Sequence, residues 1–265
     1  MVYEKYFNKT TKDSLLPTYS IAKTLTSIMI GQLISQGKLK ESDTFVSVLP
    51  EYKVGTDFDK ITIKDLLDMN SGLGVSDNYP TGPQGWGVAI AQMYATTDIN
   101  FFLKHNRKMA FTPGTKSIYR SVDVQMLGMI IKKVTGMRVA DYFSKNVWQP
   151  VGALTPATWN VDRIGGTEKT FCCFNAAAPD YAKVGLMILN NGMTGDKRII
   201  STDWVKRITT PVEKLDGWGY GAQTWHPFPD TTLLLGLHGQ YIYVQPKDHV
   251  VVVKLSDLPT SADGI

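Results

Sequence analysis

The chain is expected to fold as an α+β protein, an antiparallel sheet flanked by helices with a helical lobe beside it. Three observations point there. Through the middle of the chain, apolar residues recur at helical spacing between breaks rich in Gly and Pro. From Gly217 onward the period shortens, and Tyr220–Trp225, Thr231–Leu235, Gln240–Gln245 and Val250–Leu255 read as strands. At the other end, Val2–Phe7 (Val-Tyr-Glu-Lys-Tyr-Phe) carries strand-forming residues before the polar Asn8–Ser14 loop. Inserting that first strand into the C-terminal sheet, with helices packed on it, is the simplest closure. With 265 residues the chain can bury a substantial core. One domain over 1–265 is expected, with the sheet part about 1–20 and 170–265 and the helical lobe about 40–165.

The elements follow in order. A Pro-containing connector leads to Tyr19-Ser20-Ile21-Ala22-Lys23 and a long apolar run, Leu25–Ile34, that stops at Gly37. This helix is apolar around most of its circumference, so it is expected at the centre of the molecule. Leu39–Leu49 reads as a connector with a small helix before Pro50. Thr62 caps Ile63–Met69, and Asn70-Ser71-Gly72-Leu73-Gly74 breaks that helix. Asp77–Gly87, rich in Gly and Pro and carrying Tyr79 and Trp86, reads as a loop long enough for a lid or a binding wall. Helical spacing returns over 88–105, over Val122–Val134 to Gly136, and over Val139–Trp148 to Pro150. Thr158–Gly166 reads as irregular. Helices follow near Asp180–Leu189 and from about Thr202 to Pro211, and Lys247-Asp248 turns between the last two strands.

Composition narrows the function. Hydrophobic residues make up 43% and charged residues 20%, ordinary for a globular protein. The formal charge is +4 with no dense basic run, which argues against nucleic acid as a partner. The two cysteines, Cys172 and Cys173, are adjacent; neighbours rarely bridge, so no disulfide framework is expected and the pair reads as small apolar packing. Neither they nor the four histidines have metal-site spacing, so neither metal nor other cofactor is expected. No stretch has the length of a membrane span, and no signal-peptide pattern is present. Met1 can equally begin a trimmed chain, so no compartment follows.

The chemistry starts at Ser20 and Lys23. On a helix, i and i+3 share a face, which puts the amine beside the hydroxyl. A serine is a poor nucleophile without a base in reach, and a lysine serves if burial and nearby positive charge lower its pKa. The amide dipoles of the helix start favour an oxyanion there. The alternative is a capping serine followed by a surface lysine. Two further segments bear on the choice: Tyr119-Arg120-Ser121 at a loop-to-helix junction, and Leu234-Leu235-Gly236-Leu237-His238-Gly239-Gln240 leading into a strand.

In this order the three segments resemble the serine hydrolases of the penicillin-recognising fold: class C β-lactamases, D,D-peptidases and the related esterases. The resemblance covers nearly the whole chain. It is closest to the 6-aminohexanoate-dimer hydrolase branch, through Gly236–Ile242, Trp148-Gln149-Pro150 and Asp180-Tyr181-Ala182-Lys183-Val184-Gly185. It implies Ser20 as the acylated nucleophile and Lys23 as its base, or as holder of the base's charge. It implies Tyr119 as the proton shuttle to the leaving group, and the amides of Ser20 and Leu237 as the oxyanion hole. Ser121 takes the place of a short polar side chain that bonds Lys23. A phenol near a lysine is expected to be drawn toward phenolate.

Further residues are candidates for touching substrate or steadying the catalytic groups. Gly236 lies on the third segment. His238 has no evident carboxylate to orient it and is read as a supporting residue. Tyr79 and Trp86 either line a cleft or cover a core edge. Asn175 either caps the Asp180 helix or bonds a substrate amide. Two departures from the family stand out. Thr232–Gly236 offers no cation where many relatives bind a substrate carboxylate, and both ends look short relative to the family, which would leave a sheet face for self-association. The expected function is a serine hydrolase acting on an amide or ester of a small linear molecule through an acyl-enzyme. The rivals are a catalytically silent binding or scaffolding protein of the same fold, and a β-lactamase or D,D-peptidase.

Overall fold

The computed structural model describes residues 3–77 and 88–256. Tyr79, Trp86 and the tail from Leu258 to Ile265 lie outside those residues. In chain order the elements are β1 (Leu16–Pro17), α1 (Ile21–Ser35), α2 (Phe45–Val48), α3 (Ile63–Leu67), α4 (Ala89–Ala95), α5 (Ile99–His105), α6 (Ser121–Thr135) and α7 (Val139–Phe143). There follow β2 (Thr158–Trp159), β3 (Phe174–Ala176), α8 (Ala178–Leu189), β4 (Met193–Thr194), β5 (Lys197–Arg198) and α9 (Thr202–Thr209). The chain closes with β6 (Glu213–Leu215), β7 (Trp218–Gly221), β8 (Thr224–His226), β9 (Thr232–Gly236), β10 (Gln240–Gln245) and β11 (Val250–Lys254).

The last six strands form one antiparallel meander in the order β11-β10-β9-β8-β7-β6. Helix α8 packs on β10 and β11, α1 on β9 and β10, and α9 on β7 and β8. Gly185 permits the α8 contact, because a Cβ there would sit 2.6 Å from Val251 and 2.9 Å from Ile242. On its other side α1 packs against α6, which in turn holds α2 and α3. Every residue of α1 from Ile21 to Leu33 is buried, so the helix is the hub between sheet and helical lobe. The architecture is a mixed helix and antiparallel-sheet fold. Helix α3 starts on a capping box, Thr62 accepting from the Asp65 amide and Asp65 from the Thr62 amide.

Three expectations need correction. Tyr3–Phe7 forms no strand and does not join the sheet; Tyr3 is 77% exposed. Strand propensity reflects the fit to a half-buried pleated surface, and this stretch has no such surface beside it. The N-terminal pairing comes later, where Leu16–Pro17 pairs with β3 in a separate three-stranded sheet, β1-β3-β2. Second, Tyr220–Trp225 is two strands. Ala222 and Gln223 both take positive φ (46° and 67°) and turn the chain into a hairpin. Neither residue favours that conformation, so tertiary bonds compensate. Gln223 donates its amide to the Leu67 carbonyl and Nε2 to the Leu66 carbonyl, while the Ala222 amide donates to Asp68. Third, Cys172 and Cys173 are joined in a disulfide between neighbours.

Candidate active site

The start of α1 is built by close packing of three strands. Thr18 donates its amide and its hydroxyl to the Phe174 carbonyl of β3, at 2.8 and 2.9 Å. From the other side β9 ends at Gly236, whose absent Cβ would stand 2.2 Å from the Thr18 carbonyl and 3.3 Å from the Ser20 amide nitrogen. Only glycine lets the two backbones approach this closely. Tyr19, held between them, takes a left-handed φ of 46°, and the His238 ring lies 4.7 Å from its ring. A non-glycine residue at such a φ costs free energy that the surrounding structure must supply. Ser20 occupies the cap position of α1 and is half-buried. Leu237 follows Gly236 directly, which brings its backbone to the same corner.

Lys23 points back to this corner. Its Nζ donates to Ser20 Oγ at 2.9 Å and to the Phe171 carbonyl at 2.8 Å. The side chain is 1% exposed, and burial lowers its pKa to about 8, against an opposing pull from Asp77. At that value an appreciable fraction of the amine is neutral near pH 7.5. A neutral amine at hydrogen-bond distance can take a hydroxyl proton.

Tyr119 completes the cluster. Its ring lies 5.1 Å from Lys23 Nζ, and the Ser20 side chain acts to lower its pKa. The ring stacks on Trp225 at 5.5 Å and meets Tyr220 edge-on at 6.2 Å. The expected drift toward phenolate is not found. Burial pushes the phenol well above its ordinary value, so Tyr119 stays a neutral donor and acceptor able to relay a proton.

The flanking candidates divide. Gly236 and His238 lie at the corner. Ser121 does not bond Lys23: its hydroxyl and amide donate to Asp77 at 2.5 and 2.8 Å. Asn175 neither caps α8, whose cap position is Ala177, nor keeps an uncommitted amide. Its Nδ2 donates to Thr158, Asn160 and the Cys173 carbonyl. Tyr79 and Trp86 lie outside the described residues. Sequence reasoning missed Asp77, Trp225 and the Phe171 carbonyl. A lysine buried at a helix start calls for a counter-charge nearby, but nothing in the sequence marks which residue supplies it. Among the described residues no cluster of His, Cys, Asp and Glu could hold a metal ion. No described helix is long and apolar enough to cross a membrane.

Comparison with known proteins bears on the family and the fold. The model of the β-lactamase family matches residues 1–264. The 6-aminohexanoate-dimer hydrolase of Paenarthrobacter ureafaciens is 26% identical over 262 residues, covering 91% of this chain and 65% of that protein. A putative D-alanyl-D-alanine carboxypeptidase of Escherichia coli K12 is 24% identical over 292 residues, covering 89% of this chain and 67% of that protein. The chain thus spans about two thirds of the length of these relatives. Among solved structures, a putative 6-aminohexanoate-dimer hydrolase from Bacillus anthracis superposes with a TM-score of 0.86 at 26% identity, over 98% of this chain and 72% of that one. A family VIII carboxylesterase shares the fold at a TM-score of 0.71 and 18% identity, over 95% of this chain and 80% of that one.

Proposed function

The chain belongs to the β-lactamase family, and from that premise we propose that it is a serine hydrolase cleaving an amide or ester of a small linear molecule through an acyl-enzyme. The reading takes 1–265 as one hydrolase domain. The observation that carries it is the 2.9 Å bond between Lys23 Nζ and Ser20 Oγ, made by a lysine whose buried amine has a pKa of about 8.

In the proposed reaction Ser20 Oγ attacks the substrate carbonyl carbon and its proton passes to Lys23. The new oxyanion is received by the amides of Ser20 and Leu237, fixed dipoles of the kind that supply the largest single contribution in most acyl transfers. Tyr119, neutral and beside Lys23, relays the proton to the leaving amine or alcohol. Water then repeats the sequence on the acyl-enzyme, and Ser20 is restored. Relatives that carry the 6-aminohexanoate-dimer hydrolase name, and neighbours named as esterases, support a linear amide or ester as the substrate class.

Intact-mass measurement after exposure to a fluorophosphonate tests the nucleophile. The parent protein should gain one adduct and Ser20→Ala none. Turnover of nitrophenyl butyrate should fall in Ser20→Ala by as much as a millionfold, the order seen when a serine nucleophile is removed. A parent that takes no adduct would be a silent member of the family.

A further inference from the structure

Asp77, which no motif marked, sits where the catalytic groups meet. Its carboxylate accepts the amide of Ser121 at 2.8 Å on Oδ1 and the Ser121 hydroxyl at 2.5 Å on Oδ2. Ser121 is the first residue of α6, whose cap position is held by Arg120 without a side-chain cap. Asp77 therefore caps α6 from outside the helix and ties down the junction that carries Tyr119. Lys23, whose Nζ lies 5.1 Å from the ring of Tyr119 in that same junction, is attracted electrostatically to the carboxylate without an ion pair to it.

The other ionisable groups around this pair do not replace it. Arg120 is 4% exposed and its guanidinium lies over the Phe111 ring at 5.2 Å. Asp123 bonds Ser71 at 2.5 Å, and burial pushes its carboxyl up to about 8, so it is largely neutral at pH 7. Tyr119 and Tyr220 are pushed up by burial and stay uncharged. Burial also pushes Asp77 up, while Lys23, the two Ser121 bonds and, least of these, the Arg120 guanidinium pull it back toward the carboxylate.

We propose that Asp77 is a positioning residue with two linked tasks: counter-charge for the ammonium that Lys23 becomes during acylation, and clamp for the Tyr119–Ser121 junction. The inference rests on the serine-hydrolase reading. In the step concerned the Ser20 O–H bond breaks, the Oγ–carbon bond forms, and the carbonyl electron pair moves to oxygen. The proton ends on Lys23 Nζ, and Asp77 remains a carboxylate throughout. An opposite charge close by stabilises the ammonium, and with it the transition state that forms it.

Asp77→Asn removes the charge but leaves an acceptor for Ser121. The Lys23 amine is titrated by ¹⁵N-lysine NMR in the parent and the variant, with Lys23→Arg for assignment. The rate of fluorophosphonate labelling is followed against pH in parallel. The Lys23 midpoint should fall by about one unit or more in the variant, the usual effect of losing a near opposite charge. The acid limb of labelling should move down with it, and the plateau rate should drop about tenfold, the equivalent of one pKa unit. An unchanged midpoint, or a plateau equal to the parent's, overturns the proposal. The NMR titration needs no turnover, so a parent that fails to label defeats the hydrolase reading while the role of Asp77 is still decided. Should Asp77→Asn not fold, Asp77→Glu decides the matter. It should keep the acid limb in place and lower only the plateau; a limb displaced downward overturns the proposal.

Discussion

At the scale of single residues, the site turns on how one amine is held. Lys23 is buried with its Nζ near the Tyr119 and Phe171 rings, and that burial is what brings its pKa down to about 8. The sign of the consequence is fixed. A base must be neutral to accept a proton, so in the proposed reaction activity should be absent where Lys23 is protonated and rise as pH increases through its pKa. Nitrophenyl butyrate hydrolysis should therefore show an acid limb in kcat/KM with a midpoint near pH 8. A limb well below that value would rule Lys23 out as the base. That Ser20, Lys23 and Tyr119 come together was legible because three short motifs occur in a fixed order along the chain. Asp77 was not, because a carboxylate that meets Lys23 and Ser121 only through the fold stands at no diagnostic spacing from either. The protonated state of Tyr119 was misjudged for a related reason: charge proximity can be read from a motif, burial cannot.

At the scale of elements, β9 bears on the proposed substrate and β11 on the surface. Thr232, Leu233 and Leu234 are buried and Leu235 is half-exposed, so the strand that ends beside Ser20 presents no cation. Arg120, the nearest candidate by motif, is committed to the Phe111 ring. A substrate carboxylate placed against β9 would lose its water without gaining a partner, at a cost of several kcal/mol. The specificity constant for nitrophenyl butyrate should therefore exceed that for nitrocefin; the reverse order would show that the missing cation does not matter. Strand β11 is an edge of the meander, with Val250 and Val252 exposed. Open apolar edges invite pairing between chains, so Val252→Lys should reduce any concentration-dependent association seen in sedimentation velocity. Equal association in parent and variant would clear the edge of that role. Strands β9, β10 and β11 were legible from the sequence, whereas β6 and the Ala222–Gln223 turn were hidden. Its bonds to Leu66, Leu67 and Asp68 come from residues more than 150 positions away, and no local turn residue announces them.

At the scale of the whole molecule, sheet and helical lobe are joined by α1 and by a buried ionic tie that the sequence did not suggest. Arg207 on α9 donates Nε and Nη2 to Glu41 at 3.0 Å each, and Nη2 to both oxygens of Asp68 at 2.8 and 2.7 Å. Asp68 is fully buried; it also accepts Lys64 Nζ at 3.0 Å and the Ala222 amide at 3.0 Å. One carboxylate thus fixes α9, the end of α3 and the β7–β8 turn. That turn delivers Trp225, the residue on which Tyr119 stacks. Taking one partner from a buried ion pair leaves an uncompensated charge and costs about 3–5 kcal/mol, whereas a partly exposed partner is worth about 0–1 kcal/mol. Asp68→Ala should therefore lower stability in urea by several kcal/mol, by the logic of the lost buried partner. Glu41→Ala, whose side chain is 28% exposed, should cost far less. The loss in Asp68→Ala should also slow fluorophosphonate labelling, because the turn beneath Trp225 loses its anchor. If the two variants prove equally stable, Asp68 does not hold the lobes together, and the packing of α1 against sheet and lobe must carry that load alone.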